Sequence, residues 1–115
     1  QRRERVAQFD PVLPGHERRV LLAAFYLSRK HRDASELGCP LPSSIGELAR
    51  MPEGFRVVLA EHIELITAQL AGRPEEAEQA LADIALMVGG LALARALGPG
   101  ELSDRVLRAA KSAIV

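Results

Sequence analysis

Tryptophan is absent from this 115-residue chain, aromatic residues make up 3% of it, and cysteine occurs once. A single cysteine excludes an intrachain disulfide and fits a reducing compartment. There is no excess of either charge: fifteen basic and fifteen acidic side chains sum to zero, so the electrostatic footprint of a nucleic-acid binder is missing. The densest basic cluster, Arg2, Arg3 and Arg5, sits at the very start. No apolar stretch follows Gln1, so no signal peptide is expected. The longest fully apolar run, residues 84–94, is shorter than the roughly 20 residues that span a bilayer. These absences lead to the expectation of a soluble, cytoplasmic domain with no membrane partner.

Catalytic and metal signatures are missing too. His16, His31 and His62 lie on separate segments, with no His-x-x-x-His or Cys-x-x-Cys pair, so no metal site is expected. Ser43 and Ser44 stand in a proline-rich helix start, where capping explains them, and no Gly-x-Ser-x-Gly elbow exists. "VGG" lies inside a helical pattern and makes no phosphate loop. Neither enzyme activity nor a cofactor is expected.

What is present favours helices. Hydrophobic residues reach 48%, and alanine, leucine, arginine and glutamate dominate; these lose little freedom in a helix. No alternating strand pattern or internal repeat is found, and the expected class is all-α, with five to six helices. Residues 2–8 read as the end of a helix arriving from upstream. Residues 15–30 read as a helix apolar on every face between Val20 and Leu27, hence buried all round. A corner at Gly38-Cys39-Pro40 then leads to a short helix over residues 42–50. Gly38 supplies conformational freedom and Pro40 fixes the entry to that helix, so Cys39 is read as a packing residue rather than a reactive thiol.

After Pro52 the spacing of Phe55, Val58, Leu59, His62, Ile63, Ile66 and Leu70 predicts one helical face, and Val57, Leu65 and Ala68 off that face suggest a second neighbour. Gly72 ends this helix and Pro74 begins the next, which runs to about Leu97. Ala85, Gly89, Ala92 and Ala96 form a row of small residues on it. Two adjacent glycines in a helix cost about 1 kcal/mol each relative to alanine, which implies close approach of another helix. The Gly98-Pro99-Gly100 turn precedes a last helix over residues 102–114, with Leu102, Val106, Ala109, Ala110 and Ala113 expected on one side.

The stretches "FYLSRKHRDASELGCPL", "SIGELAR", "MVGGLALARAL" and "LSDRVLRAAK" occur in that order, and together they resemble the C-terminal regulatory domain of TetR/AcrR-type bacterial transcriptional repressors. The resemblance runs from about Gly15 to the end and makes residues 1–115 one such domain. It implies a homodimer built on a four-helix bundle, in which the last two long helices pair with their copies. Ala85, Val88, Gly89, Ala92, Arg95, Ala96, Leu102, Val106 and Ala110 would form that interface. It implies further an apolar pocket for a small molecule that relieves DNA binding. Members of the family carry an N-terminal helix-turn-helix head, and no such pattern precedes Asp10. Residues 1–10 are therefore expected to be the stub of a connecting helix, and DNA would be bound only through the missing head. The alternative reading is a stand-alone helical dimerisation or interaction adaptor with no ligand.

Phe25, Tyr26, Leu48, Met51, Phe55, Leu59, His62, Ile66 and Met87 are the candidate ligand contacts. His62 stands in the middle of an apolar face. It is either a histidine at the edge of the core or the polar group that orients a mostly apolar ligand. Methionine's flexibility suits a site that accepts several shapes, and a buried Tyr26 hydroxyl calls for a partner. Arg95, the sole cation in the apolar half of its helix, either pairs with an acid across the dimer or favours the negative end of the helix dipole.

Overall fold

A computed structural model describes residues 13–34 and 52–114, and the stub, the Cys39 corner, the helix over residues 42–50, Leu48 and Met51 lie outside the described residues. Within them every regular element is helical: α1 (Gly15–Tyr26), α2 (Arg29–Asp33), α3 (Glu53–Ala71), a single 3₁₀ turn (Pro74–Glu76), α4 (Ala77–Leu97) and α5 (Glu101–Ala113). The chain is all-α.

The expected long first helix is two helices. Ser28 interrupts it in extended conformation (φ −95°, ψ 155°), and its Oγ accepts the amide of His31 at 3.0 Å, the N-cap of α2. The same hydroxyl donates to the Phe25 carbonyl at 2.7 Å, which closes the end of α1. Uniform apolarity did not mean uniform burial either. Ala23, Tyr26 and Leu27 are buried, whereas Val20 is 41% exposed and Ala24 faces solvent.

The core gathers Ala23, Tyr26 and Leu27 from the first segment, Leu70 from α3, Ile84, Met87, Leu91 and Ala94 from α4, and Leu107, Ala110 and Ile114 from α5. The hairpin of α4 and α5 holds it together. Gly90 is the close approach: a Cβ there would lie 2.9 Å from Ala110 Cβ and 3.1 Å from a Leu27 methyl. Its neighbour Gly89, the glycine of the small-residue row, has nothing around its Cβ position and is exposed. The inward face of α5 is Ser103, Leu107 and Ala110, so of the residues expected on one side Ala110 alone faces the core, and Leu102 is 53% exposed. Gly98 (φ +73°) makes the turn between the two helices.

Two buried arginines bolt the layers. Arg19 on α1, 2% exposed, donates from Nε to Asp83 Oδ2 of α4 at 2.7 Å and from Nη1 to the Leu70 carbonyl at 3.0 Å. Asp83 is fully buried, and its other oxygen accepts Gln79 Nε2 at 3.0 Å. Arg32 on α2 donates from Nη1 to Ser103 Oγ at 3.0 Å and to Asp104 at 2.6 Å, while Ser103 donates to the Ala94 carbonyl at 2.8 Å. Hydrogen bonding to Asp33, partly offset by burial and helped by Asp104, raises the Arg32 pKa above its ordinary value, and Arg32 in turn lowers that of Asp33. A buried charge with several partners of this kind fixes geometry more than it adds stability.

Candidate functional site

α3 is a nineteen-residue apolar helix that meets the core through Ile66 and Leu70 in its second half. Leu70 and Ala71 are its buried residues, while Phe55, Val57, Val58 and Leu65 are 54%, 51%, 64% and 59% exposed. α3 touches two neighbours, α1 and α4, as expected, but the off-stripe Val57, Leu65 and Ala68 that suggested the second are exposed. Gly72 (φ +79°) turns the chain, and α4 then runs back beside α3.

Between the two helices lies a groove of about 720 Å³. Leu59, Ala60, Ile63, Thr67, Ala68 and Ala71 line it from α3, and Pro74, Ala77 and Leu81 from the other side. Arg56 and Arg73 stand among the lining with Glu64 and Glu78, so its formal charge balances. Thr67, among the lining, directs its hydroxyl back to the Ile63 carbonyl at 2.7 Å. The volume suits a drug-sized molecule, and the mostly apolar wall with a few polar groups is the usual composition of such sites. Arg73 also pairs with Glu76 at 3.2 Å; that hydrogen bond, then Arg19, holds the Glu76 carboxyl below its ordinary pKa.

The expected ligand contacts do not converge on this groove. Leu59 lines it, but Phe55 and His62 are exposed elsewhere on α3, Ile66 packs half-buried against the core, and Met87 is 2% exposed inside the core. Phe25 and Tyr26 belong to a separate cluster around the buried His31. The Phe25 ring stacks on the imidazole at 5.0 Å, Tyr26 meets it edge-on at 4.9 Å, and Nδ1 donates to the Tyr26 carbonyl at 2.8 Å. The groove face of α3 is turned about a quarter revolution from the stripe of large apolar residues. Its signal in the sequence is alanine, at 60, 68, 71 and 77, and alanine marks space rather than bulk.

A second surface is more continuous. From Leu81 onward every exposed residue of α4 is apolar: Leu81, Ala82, Ala85, Leu86, Gly89, Leu93, Ala96 and Leu97. Leu93 is 59% exposed and Leu97 49%. Val88 and Ala92 are half-buried along its edge. On α5, Leu102, Ala109 and Ala113 are exposed and Val106 half-buried. The two rows turn the same way. Arg95 points toward α2, donating to the carbonyls of His31 (3.0 Å) and Arg32 (3.3 Å), and Leu86 and Leu93 lie about half a turn round α4 from it. Asp104 likewise points to α2, and Val106 and Ala113 lie about half a turn from it on α5.

Two expected interface residues are therefore occupied inside the chain. Arg95 caps the end of α2, and Ala110 packs on Gly90 in the core.

The segment Pro74–Leu97, with a mean hydropathy of 1.8 over its most apolar window, is long and apolar enough to cross a membrane. Its stretch free of charges is shorter, residues 84–94, because Asp83 and Arg95 bound it. Asp83 is bound to Arg19, and the inward side of α4 is packed in the core. Comparison of the chain with family models gives no match, and comparison with curated proteins gives none either.

Proposed function

We propose that this chain is the effector-binding and dimerisation domain of a TetR-like transcriptional repressor, which binds a small apolar molecule in the α3–α4 groove and a second copy of itself through α4 and α5. The observation that carries the reading is the solvent side of α4, apolar without interruption from Leu81 to Leu97 and continued on α5 by Leu102 and Ala109. Monomeric soluble proteins rarely leave so continuous an apolar strip uncovered. Two antiparallel helices presenting apolar edges to one side are what a four-helix dimer interface requires, and the small residues Ala85, Gly89 and Ala96 let the copies approach closely. In this reading a ligand that fits one geometry of the α3–α4 pair better than another shifts the population of dimer geometries. DNA affinity in an attached head changes accordingly.

The ligand part is tested by thermal unfolding in the presence of neutral apolar molecules of drug size. A true ligand at a hundredfold excess over its Kd adds about 2.7 kcal/mol, enough to raise Tm by several degrees. Replacing Ala68, which lines the groove and is exposed, by tryptophan is expected to abolish the rise. A broad set of molecules that leaves Tm unmoved, or a rise that persists in Ala68→Trp, removes the groove as the site.

A further inference from the structure

Four charged side chains stand among the apolar residues of the groove: Arg56 and Glu64 from α3, Arg73 from the turn and Glu78 from the start of α4. Their formal charges cancel, but their engagements differ. Arg73 gives its Nε to Glu76 at 3.2 Å, and Glu76 is not part of the groove lining. Arg56 is engaged as well. Among the described residues, Glu64 and Glu78 have neither a hydrogen-bond nor an ion-pair partner.

The sequence accounts for this. A helical side chain finds its partners three and four residues away. For Glu64 those positions are Ala60, Glu61, Thr67 and Ala68, and for Glu78 they are Pro74, Glu75, Leu81 and Ala82. None is basic, and each set holds a further acid. Arg56 lies two turns of helix from Glu64, about 12 Å along the axis. Both acids also stand within the rows that form the walls. Glu64 falls between Ala60 and Ala68, and Glu78 precedes Leu81 by one turn, all of them groove lining.

A molecule entering between α3 and α4 therefore meets apolar walls and two carboxylates with spare acceptor capacity, while the guanidinium at the turn is already paired. Ionised carboxylates accept hydrogen bonds and donate none, so the group they recognise is a donor that carries positive charge. Water displaced as the groove fills lowers the local dielectric and strengthens that attraction. A carboxylate on the entering molecule would set like charges together.

We propose that the occupant of the groove is a lipophilic cation, an apolar body of drug size with an ammonium or delocalised cationic nitrogen group held by Glu64 and Glu78. The inference rests on reading the groove as the effector site and adds the charge of the effector.

Three probes that share one apolar body separate charge from shape: pyrenemethylammonium, pyrenemethanol and pyrenecarboxylate, each titrated into the protein and followed by pyrene emission. The cation is expected to bind about fivefold tighter than the alcohol, the size of two partly solvated charge pairs, and the carboxylate more weakly than either. Added salt narrows the gap. Glu64→Gln combined with Glu78→Gln changes two exposed positions, and is expected to bring the cation within about twofold of the alcohol while the alcohol is unmoved. Ala68→Trp is expected to abolish binding of the cation. Equal affinity of cation and alcohol for the unaltered protein overturns the charge preference and leaves the groove as a neutral site. A carboxylate that binds tightest overturns it in favour of Arg73. A preference that survives the double substitution, or cation binding that survives Ala68→Trp, overturns the assignment to these two acids. If none of the three binds, the cation proposal falls, and thermal unfolding with the wider neutral set still decides the groove by itself.

Discussion

At the scale of single residues, the most consequential pair is one that no motif announces. Asp83 is the lone acid in the apolar body of α4, fully buried, and Arg19 reaches it at 2.7 Å. Removing one partner strands the other charge in the core. Asp83→Ala is expected to lower unfolding stability by about 3–5 kcal/mol, whereas exchanging both for apolar residues, Arg19→Met with Asp83→Leu, is expected to recover most of it. Urea unfolding measures both. A loss below about 1 kcal/mol for Asp83→Ala would mean that Leu70 and Glu76 satisfy Arg19 alone. The sequence made Arg95 conspicuous for the same reason, a charge among apolar neighbours, yet its partners are the carbonyls of His31 and Arg32, which no residue pattern records.

At the scale of elements, the glycine pair in α4 separates two jobs that look alike in one dimension. Gly90 sits where a methyl would press on Ala110 and Leu27, so Gly90→Ala is expected to cost about 1–3 kcal/mol through overpacking. Gly89 faces open space, so Gly89→Ala is expected to stabilise the isolated fold by up to about 1 kcal/mol through better helix propensity. Denaturation at low protein concentration compares them, and equal effects would contradict the packing described. Helix positions were legible because Pro52, Gly72, Pro74 and the Gly98-Pro99-Gly100 turn punctuate strongly. The break at Ser28 was not, because a serine that caps α2 looks the same in sequence as one that rides a continuous helix. Faces were the least legible. On α5 the row of Leu102, Val106, Ala109 and Ala113 was legible, but Ala110 was grouped with it although it is buried with Ser103 and Leu107, since an alanine-rich helix blurs the edge between core and surface.

At the scale of the whole molecule, burial is unevenly spent. Gly90, Leu91, Ala94 and Leu107 pack α4 and α5 into a solid hairpin, while α3 carries exposed Phe55, Val58 and Leu65 and meets the core through Ile66 and Leu70. Such a body has an exposed apolar strip on one side and an apolar groove between α3 and α4, and the proposed division of labour follows from having both. The all-α class was visible in composition. The groove was legible only in Leu59 and Ile63, because the sequence advertises bulky side chains and the alanines at 60, 68, 71 and 77 that open the groove give no such signal. The most direct measurement of the central claim is the sedimentation mass of the chain, compared with that of Leu93→Glu, which places a charge in the middle of the exposed α4 strip. The account predicts twice the 12.5 kDa chain mass for the unaltered protein and the single-chain mass for a folded, helical Leu93→Glu. A 12.5 kDa species for both at about 100 µM, or a dimer indifferent to the added charge, would contradict it.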